Sequence, residues 1–121
     1  MISGENVVKD STTGLMWQKA YPNDTYTWSG ALKYCRDLTY AGYTDWRVPN
    51  KNELAALLDY SKTSAPYSSF PGMPSTSDKT YFWSSSTDAS GNSYAWYVSF
   101  YSALTSTRSK SSSYAYVMCV R

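Results

Sequence analysis

The fold class this sequence predicts is α+β: two helices beside a small, twisted antiparallel sheet. Three observations carry it. Apolar residues recur at helical spacing from Trp28 to Leu38 and again from Leu54 to Leu58. Strand-like runs separated by turn chemistry open the chain and return from Tyr81 onward. The order is hairpin, two helices, long loop and antiparallel strands, with no internal repeat.

The first element is a hairpin. Val7 and Val8 form one strand and Leu15, Met16 and Trp17 the other, with turn residues from Asp10 to Gly14 between them. A polar connection containing Pro22 follows. Ser29 is placed to cap the first helix, because its hydroxyl can accept from an orphan backbone N–H. Trp28, Ala31, Leu32, Cys35 and Leu38 make that helix's buried stripe, and Gly42 is its expected terminator. Asn50 and Glu53 form a capping-box start for the second helix. Leu54, Leu57 and Leu58 give it a core face, ending near Asp59 and Tyr60. Residues 61–80 hold Pro66, Pro71 and Pro74 and read as a long surface excursion. Strands are then expected at residues 81–85, 95–101, near 104–108 and at 114–120, with a turn at residues 88–92.

At 121 residues the chain suits one core, a single domain over 1–121. It is 42% hydrophobic and only 17% charged, so it is globular and sparsely charged, with 13 Tyr and 5 Trp supplying much of the apolar mass. A net charge of +2 is too small to argue for nucleic acid or an anionic membrane. No apolar run reaches the length of a membrane-spanning helix. Residues 1–6 lack the basic end and apolar centre of a signal peptide, so export through a removed leader or within a virion is expected. The absence of His removes the commonest general base. Asp45 and Arg47 have no nucleophile or base beside them and read as an ion pair or as loop-fixing groups. The acidic residues are scattered and fit no dense oxygen-ligand loop, so no metal and no cofactor is expected.

The last forty residues mix two kinds of sequence. Anchors such as Trp83, Trp96, Val98, Phe100, Val117 and Val120 alternate with small and hydroxylated side chains between Ser99 and Ser113. Such filler would ordinarily mean a linker. The strand-like ending argues instead for a Tyr/Ser/Thr surface on a rigid frame, the chemistry of an adaptable binding face. Strand alternation puts Tyr101 outside if Phe100 is inside, and puts Tyr114 and Tyr116 on one face with Val117 and Cys119 on the other. The two cysteines, Cys35 and Cys119, are too far apart for a metal-binding pair. They could be free buried thiols or a bridge. A bridge would close a long loop worth roughly 4–5 kcal/mol in the chain-entropy model.

Six ordered motifs carry a resemblance. They are Thr13-Gly14-Leu15-Met16-Trp17-Gln18, Trp28-Ser29-Gly30-Ala31 leading to Tyr34-Cys35, and Asp45-Trp46-Arg47-Val48-Pro49-Asn50 with Glu53-Leu54. They continue with Phe82-Trp83-Ser84-Ser85-Ser86-Thr87, Tyr94-Ala95-Trp96, and Cys119-Val120-Arg121. Together they resemble the C-terminal domain family of the Legionella collagen-like protein over nearly the whole chain. The resemblance implies a C-type lectin-like fold in which a cysteine of the first helix pairs with one of the last strand, the positions of Cys35 and Cys119. It also implies an extracellular, cell-surface or virion location, and it allows a homo-oligomer, since the family includes trimers. Calcium is not implied, because the acidic-Pro-Asn loop and Trp-Asn-Asp strand of calcium-binding lectins are missing. Formylglycine-generating enzymes share the fold, but their reactive cysteine pair has no match here, so no enzyme is expected.

The departures from the family concentrate in one region. The family's Asn- and Gly-rich stretch is replaced by residues 101–113, its usual Gly falls on Ala103, and its Arg before the last Cys is Met118. That pattern looks like the variable proteins of diversity-generating retroelements, in which adenine-directed mutagenesis randomises Asn-type codons. A variable region at about 84–118 is expected. Its face comprises Tyr101, Ser102, Leu104, Ser106, Thr107, Arg108, Ser109, Ser111, Ser112, Ser113 and Met118, with Trp96 and Asp88 at the edge. The expected function is attachment to a protein or glycan on a cell surface, without nucleic acid and without membrane insertion. The alternative is an invariant adhesin that binds sulfated glycans, as members of the resembled family do, through Arg108, Lys110 and nearby lysines.

Overall fold

The computed structural model describes residues 2–4, 6–62, 68, 70 and 81–121. The class is α+β, with two helices and two three-stranded antiparallel sheets where one sheet was expected. The first sheet joins β1 (Ile2–Ser3), β2 (Val7–Lys9) and β3 (Met16–Gln18) in that order. Val8 pairs with Trp17, and the Asp10 carboxylate holds the intervening turn by accepting from Thr12 N–H at 3.0 Å. The second sheet joins β4 (Tyr81–Thr87), β5 (Tyr94–Ser99) and β6 (Leu104–Ser109), with β6 at an edge. Most of residues 61–80, the expected surface excursion, lie outside the described residues.

α1 (Trp28–Arg36) is capped by Thr27, whose hydroxyl accepts from Gly30 N–H at 3.2 Å; Ser29, the expected cap, lies inside the helix. A hydroxyl reaches the N3 amide from the position before the first turn, and Thr27 occupies it. Lys33 and Arg36 in the last turn complement the helix dipole. The helix stops at Arg36, well before Gly42, which instead supplies a φ of 84° to the turn closed by Tyr40 and Tyr43. α2 (Lys51–Ala55) forms both halves of the predicted capping box. It is shorter than expected. After Ala55 the amides of Leu57 and Leu58 bond three residues back, which tightens and ends the helix while keeping Leu57 buried.

The C-terminal segment is not the regular strand that was expected. It divides its backbone bonds among several partners. Tyr116 exchanges bonds with β4, donating to Tyr81 O and accepting from Trp83 N–H. Cys119 O accepts from Gln18 N–H, Val120 pairs with Arg47, and Arg121 pairs with Met16. This segment therefore ties the two sheets together. Its side chains alternate between two hydrophobic clusters. Tyr116, Met118 and Val120 join Val8, Trp17, Leu54, Phe82 and Phe100. Ala115, Val117 and Cys119 join Ala31, Cys35, Trp46 and Trp83. The second cluster contains the Cys35–Cys119 disulfide, with Cα atoms 5.6 Å apart. No described helix is long and apolar enough to cross a membrane.

Asp45 and Arg47 do not pair with each other. Arg121 forks onto Asp45, with Nη2 to Oδ2 at 3.0 Å, and Arg47 forks onto Glu53 at 2.7 and 2.8 Å. Both pairs fix loops to the frame, the role the sequence suggested.

Candidate functional site

β6 carries the candidate face because of its place in the sheet. β5 is covered by β4 on one side and β6 on the other, while the outer edge of β6 has no strand beside it among the described residues. The β5–β6 register pairs Tyr94 with Ser109, Ala95 with Arg108, Trp96 with Thr107, Tyr97 with Ser106, Val98 with Thr105 and Ser99 with Leu104. Cross-strand partners share a side of the sheet. Leu104, Ser106 and Arg108 therefore lie on the side of Ala95 and Tyr97, and Thr107 and Ser109 on the side of Trp96 and Val98. The expected single face is thus divided between the two sides of one edge strand.

It is also stretched along the strand. At ~3.4 Å per residue, β6 spans about 17 Å from Leu104 to Ser109. Tyr101 and Ser102 sit in the turn at one end, where Ser102 N–H donates to Ser99 Oγ at 3.1 Å. Tyr101 and Leu104 are 44% and 42% exposed, while Phe100 beside them is fully buried, as alternation predicts. Ala103 closes this turn at a φ of 55°, in the left-handed region.

The other end gathers Asp88 and residues 109–113. Lys110 N–H donates to Ser93 O at 2.9 Å, Ser112 N–H to Ser109 O at 3.1 Å, and the hydroxyls of Ser109 and Ser111 lie 3.0 Å apart. Asp88 Oδ1 accepts from both Ser90 N–H and Ser90 Oγ at 3.0 Å, so it shapes the β4–β5 turn. Ser111 and Ser113 are exposed, and Ser109 and Ser112 half-buried.

Aromatic rings back the charged positions. The Arg108 guanidinium lies 4.0 Å over Tyr114, and Lys110 Nζ lies 3.9 Å over Trp28. Tyr114 stacks on Tyr81 at 5.2 Å and meets Tyr97 edge-on at 5.2 Å. Burial, then the hydrogen bond its hydroxyl gives to Tyr97, push Tyr114 above its ordinary value, so the ring under Arg108 stays neutral. Trp96 is half-buried, with Lys51 Nζ 4.4 Å over its ring, so one face of the indole is already occupied.

One residue of the expected set lies elsewhere, and one exposed aromatic lies outside that set. Met118 is fully buried in the core with Phe82 and Phe100 and belongs to no face. The segment that holds it is enclosed on both sides, so strand alternation exposes neither face there. Tyr116, expected on one face with Tyr114, is likewise buried, against Tyr21 and Phe82. Tyr94, by contrast, is 48% exposed opposite Ser109. Its place as the first residue of β5, beside a turn, is the signal that could have found it.

No curated protein matches the chain. The family model described as the Lcl C-terminal domain matches residues 6–121. The capping box, the bridge from α1 to the C-terminal segment and the enclosed Trp83 all lie within that match. This chain belongs to the Lcl C-terminal domain family.

Proposed function

We propose that this domain is a non-catalytic attachment module: a frame of the C-type lectin-like kind that displays a diversified edge to a protein or glycan on a cell surface. The display set is Tyr101, Ser102, Leu104, Ser106, Thr107, Arg108, Ser109, Ser111, Ser112 and Ser113, joined by Tyr94. The observation that carries the reading is the position of β6. Its side chains stand on both sides of an edge strand, while the frame holds its backbone through β5. Side chains there can change without opening the core. Ala103 adds support. A non-glycine residue at a φ of 55° is disfavoured by its Cβ, which fits a position not chosen for conformation. The disulfide suits an oxidising compartment.

The experiment replaces residues 101–113 with a different mixture of Tyr, Ser, Thr and Asn, leaving Ala115 to Arg121 intact. Binding of the labelled domain to cells should change, with little movement in melting temperature. Unchanged binding would sink the proposal. A reverse transcriptase gene and an adenine-rich copy of the 3′ coding segment beside this gene would establish the diversification itself.

A second reading, an invariant adhesin for sulfated glycans, is favoured by the clustering of exposed Arg108 with Lys110 near one end of β6. It predicts retention on immobilised heparin that falls steeply as salt rises and is weakened by Arg108→Ser.

A further inference from the structure

The two sides of β6 are not equally open. Leu104 and Arg108 are exposed, whereas Thr105, Thr107 and Ser109 are half-buried. Side chains alternate along a strand, so both exposed residues fall on one side, with half-buried Ser106 between them. That side is shared with Ala95 and Tyr97 of β5. The row from Leu104 to Arg108 runs about 14 Å at ~3.4 Å per residue.

Rings from outside β6 form a floor beside this row. Leu104 pairs with Ser99 and Ser99 with Tyr81, while Ser106 pairs with Tyr97, so both tyrosines lie on the same side of the sheet. Tyr114 closes the group, stacked on Tyr81 at 5.2 Å and edge-on to Tyr97 at 5.2 Å, with Tyr81 and Tyr97 5.7 Å apart. Three rings in mutual contact hold one another, and buried Tyr97 anchors them to the frame. The Arg108 guanidinium sits over the Tyr114 ring. An arginine held over a fixed ring has given up part of its rotamer freedom before a partner arrives, which lowers the cost of using it in an interface. Its fork of N–H donors matches a carboxylate. Lys110, over Trp28, adds a second cation two residues on.

These residue types together fit a protein better than a glycan. Tyrosine and arginine are enriched among the residues that carry binding energy at protein interfaces. Leu104 offers only apolar area, which a partner's apolar side chain can cover. A polyanionic glycan would take up the cations and leave Leu104 in water. We infer that the side of β6 formed by Leu104, Ser106 and Arg108, floored by Tyr81 and Tyr114, is the docking surface for a protein that sets an apolar side chain on Leu104 and a carboxylate on Arg108. It rests on the display reading proposed above and narrows it to a protein and to one side of the edge strand.

The test uses cells on which replacement of residues 101–113 changes binding of the labelled domain. Protease treatment of those cells should abolish binding. Removal of surface sugars, by periodate or by heparin and chondroitin lyases, should leave it in place. Leu104→Ser and Arg108→Ser should each weaken binding about ten-fold, with melting temperatures near that of the parent, and Arg108→Lys should recover only part of the loss because an ammonium lacks the planar fork. Binding that survives protease, that is lost with the sugars, or that Leu104→Ser leaves at full strength would overturn the inference while the display reading stands. Self-association of the domain in sedimentation, abolished by Leu104→Ser, would assign the surface to a second copy and overturn it too. Binding that ignores replacement of residues 101–113 would remove both readings.

Discussion

Tyr116 and Val117 are consecutive residues buried in different hydrophobic clusters, Tyr116 with its ring 6.3 Å from Phe82 and Val117 in the cluster that holds the Cys35–Cys119 bridge. The chain between Ala115 and Val120 therefore has no outward side. Freedom to change side chains ends where this segment begins. The candidate display surface stops at Ser113, and the anchors after it belong to the frame.

Met118 and Leu104 should separate sharply on substitution. Met118→Ala removes a fully buried side chain and should cost about 2–5 kcal/mol, read from urea unfolding. Leu104→Ser acts at a position 42% exposed on the edge strand and should stay within about 0.5 kcal/mol. Equal costs at the two positions would place Leu104 in the frame.

The bridge between Cys35 and Cys119 spans a sequence separation of 84 residues. Cys35→Ala combined with Cys119→Ala should destabilise by about 4–5 kcal/mol in the chain-entropy picture, and reduction of the unaltered protein should act alike. A loss below ~1 kcal/mol would mean that the bonds of the C-terminal segment to both sheets hold it without the covalent link.

Ala103→Gly should raise stability by about 1 kcal/mol. The φ of 55° opposes the alanine Cβ, and glycine removes that opposition at a small cost in unfolded-chain entropy. The midpoint of chemical denaturation checks it. A lower midpoint would show that the alanine methyl contributes packing in the turn.

Glu53 predicts an acid-dependent loss. The hydrogen bond from Arg47 is the main cause holding its carboxyl below the usual value, with burial opposing and the Asn50 amide assisting. A depressed folded-state pKa contributes stability present above the unfolded value, about 4.3 for glutamate. That contribution is lost as pH falls through the depressed folded value. Glu53→Gln should cost about 0.5–2 kcal/mol near neutral pH, chiefly through the charge-assisted pair with Arg47, since glutamine can keep the capping-box acceptor. The gap between variant and parent should narrow as pH falls below ~4. A gap that stays constant with pH would remove Glu53 from the acid response.

Several features were legible from local chemistry. The Asp10-to-Gly14 turn, the Asn50–Glu53 capping box and the buried stripe of α1 each depend on residues within a few positions of one another. The class α+β followed from them. Local rules misled where two neighbours could serve the same role: Thr27 and Ser29 are both sound caps, and chain geometry selected Thr27. They also misled at the C-terminal segment. Alternation there was read correctly, but its usual corollary, one side in and one side out, failed because both sides are covered.

The candidate face was legible as composition and not as shape. Small hydroxylated residues between apolar anchors marked a stretch of chain that forms an edge strand and its flanking turns. Which of them share a side depends on the pairing of β6 with β5, a contact between strands whose register is set by the turn and by burial of Val98 and Phe100. The pairing of Tyr94 with Ser109 is a product of that register.

Residue types and short-range spacing decided the helices, the first hairpin and the stock of apolar anchors, because caps, turns and periodicity act over a few bonds. Tertiary packing decided that the last residues bridge two sheets and that Met118 is interior. Those outcomes depend on which distant surfaces meet, and burial energy is shared among all the residues that enclose a site rather than carried by any one of them.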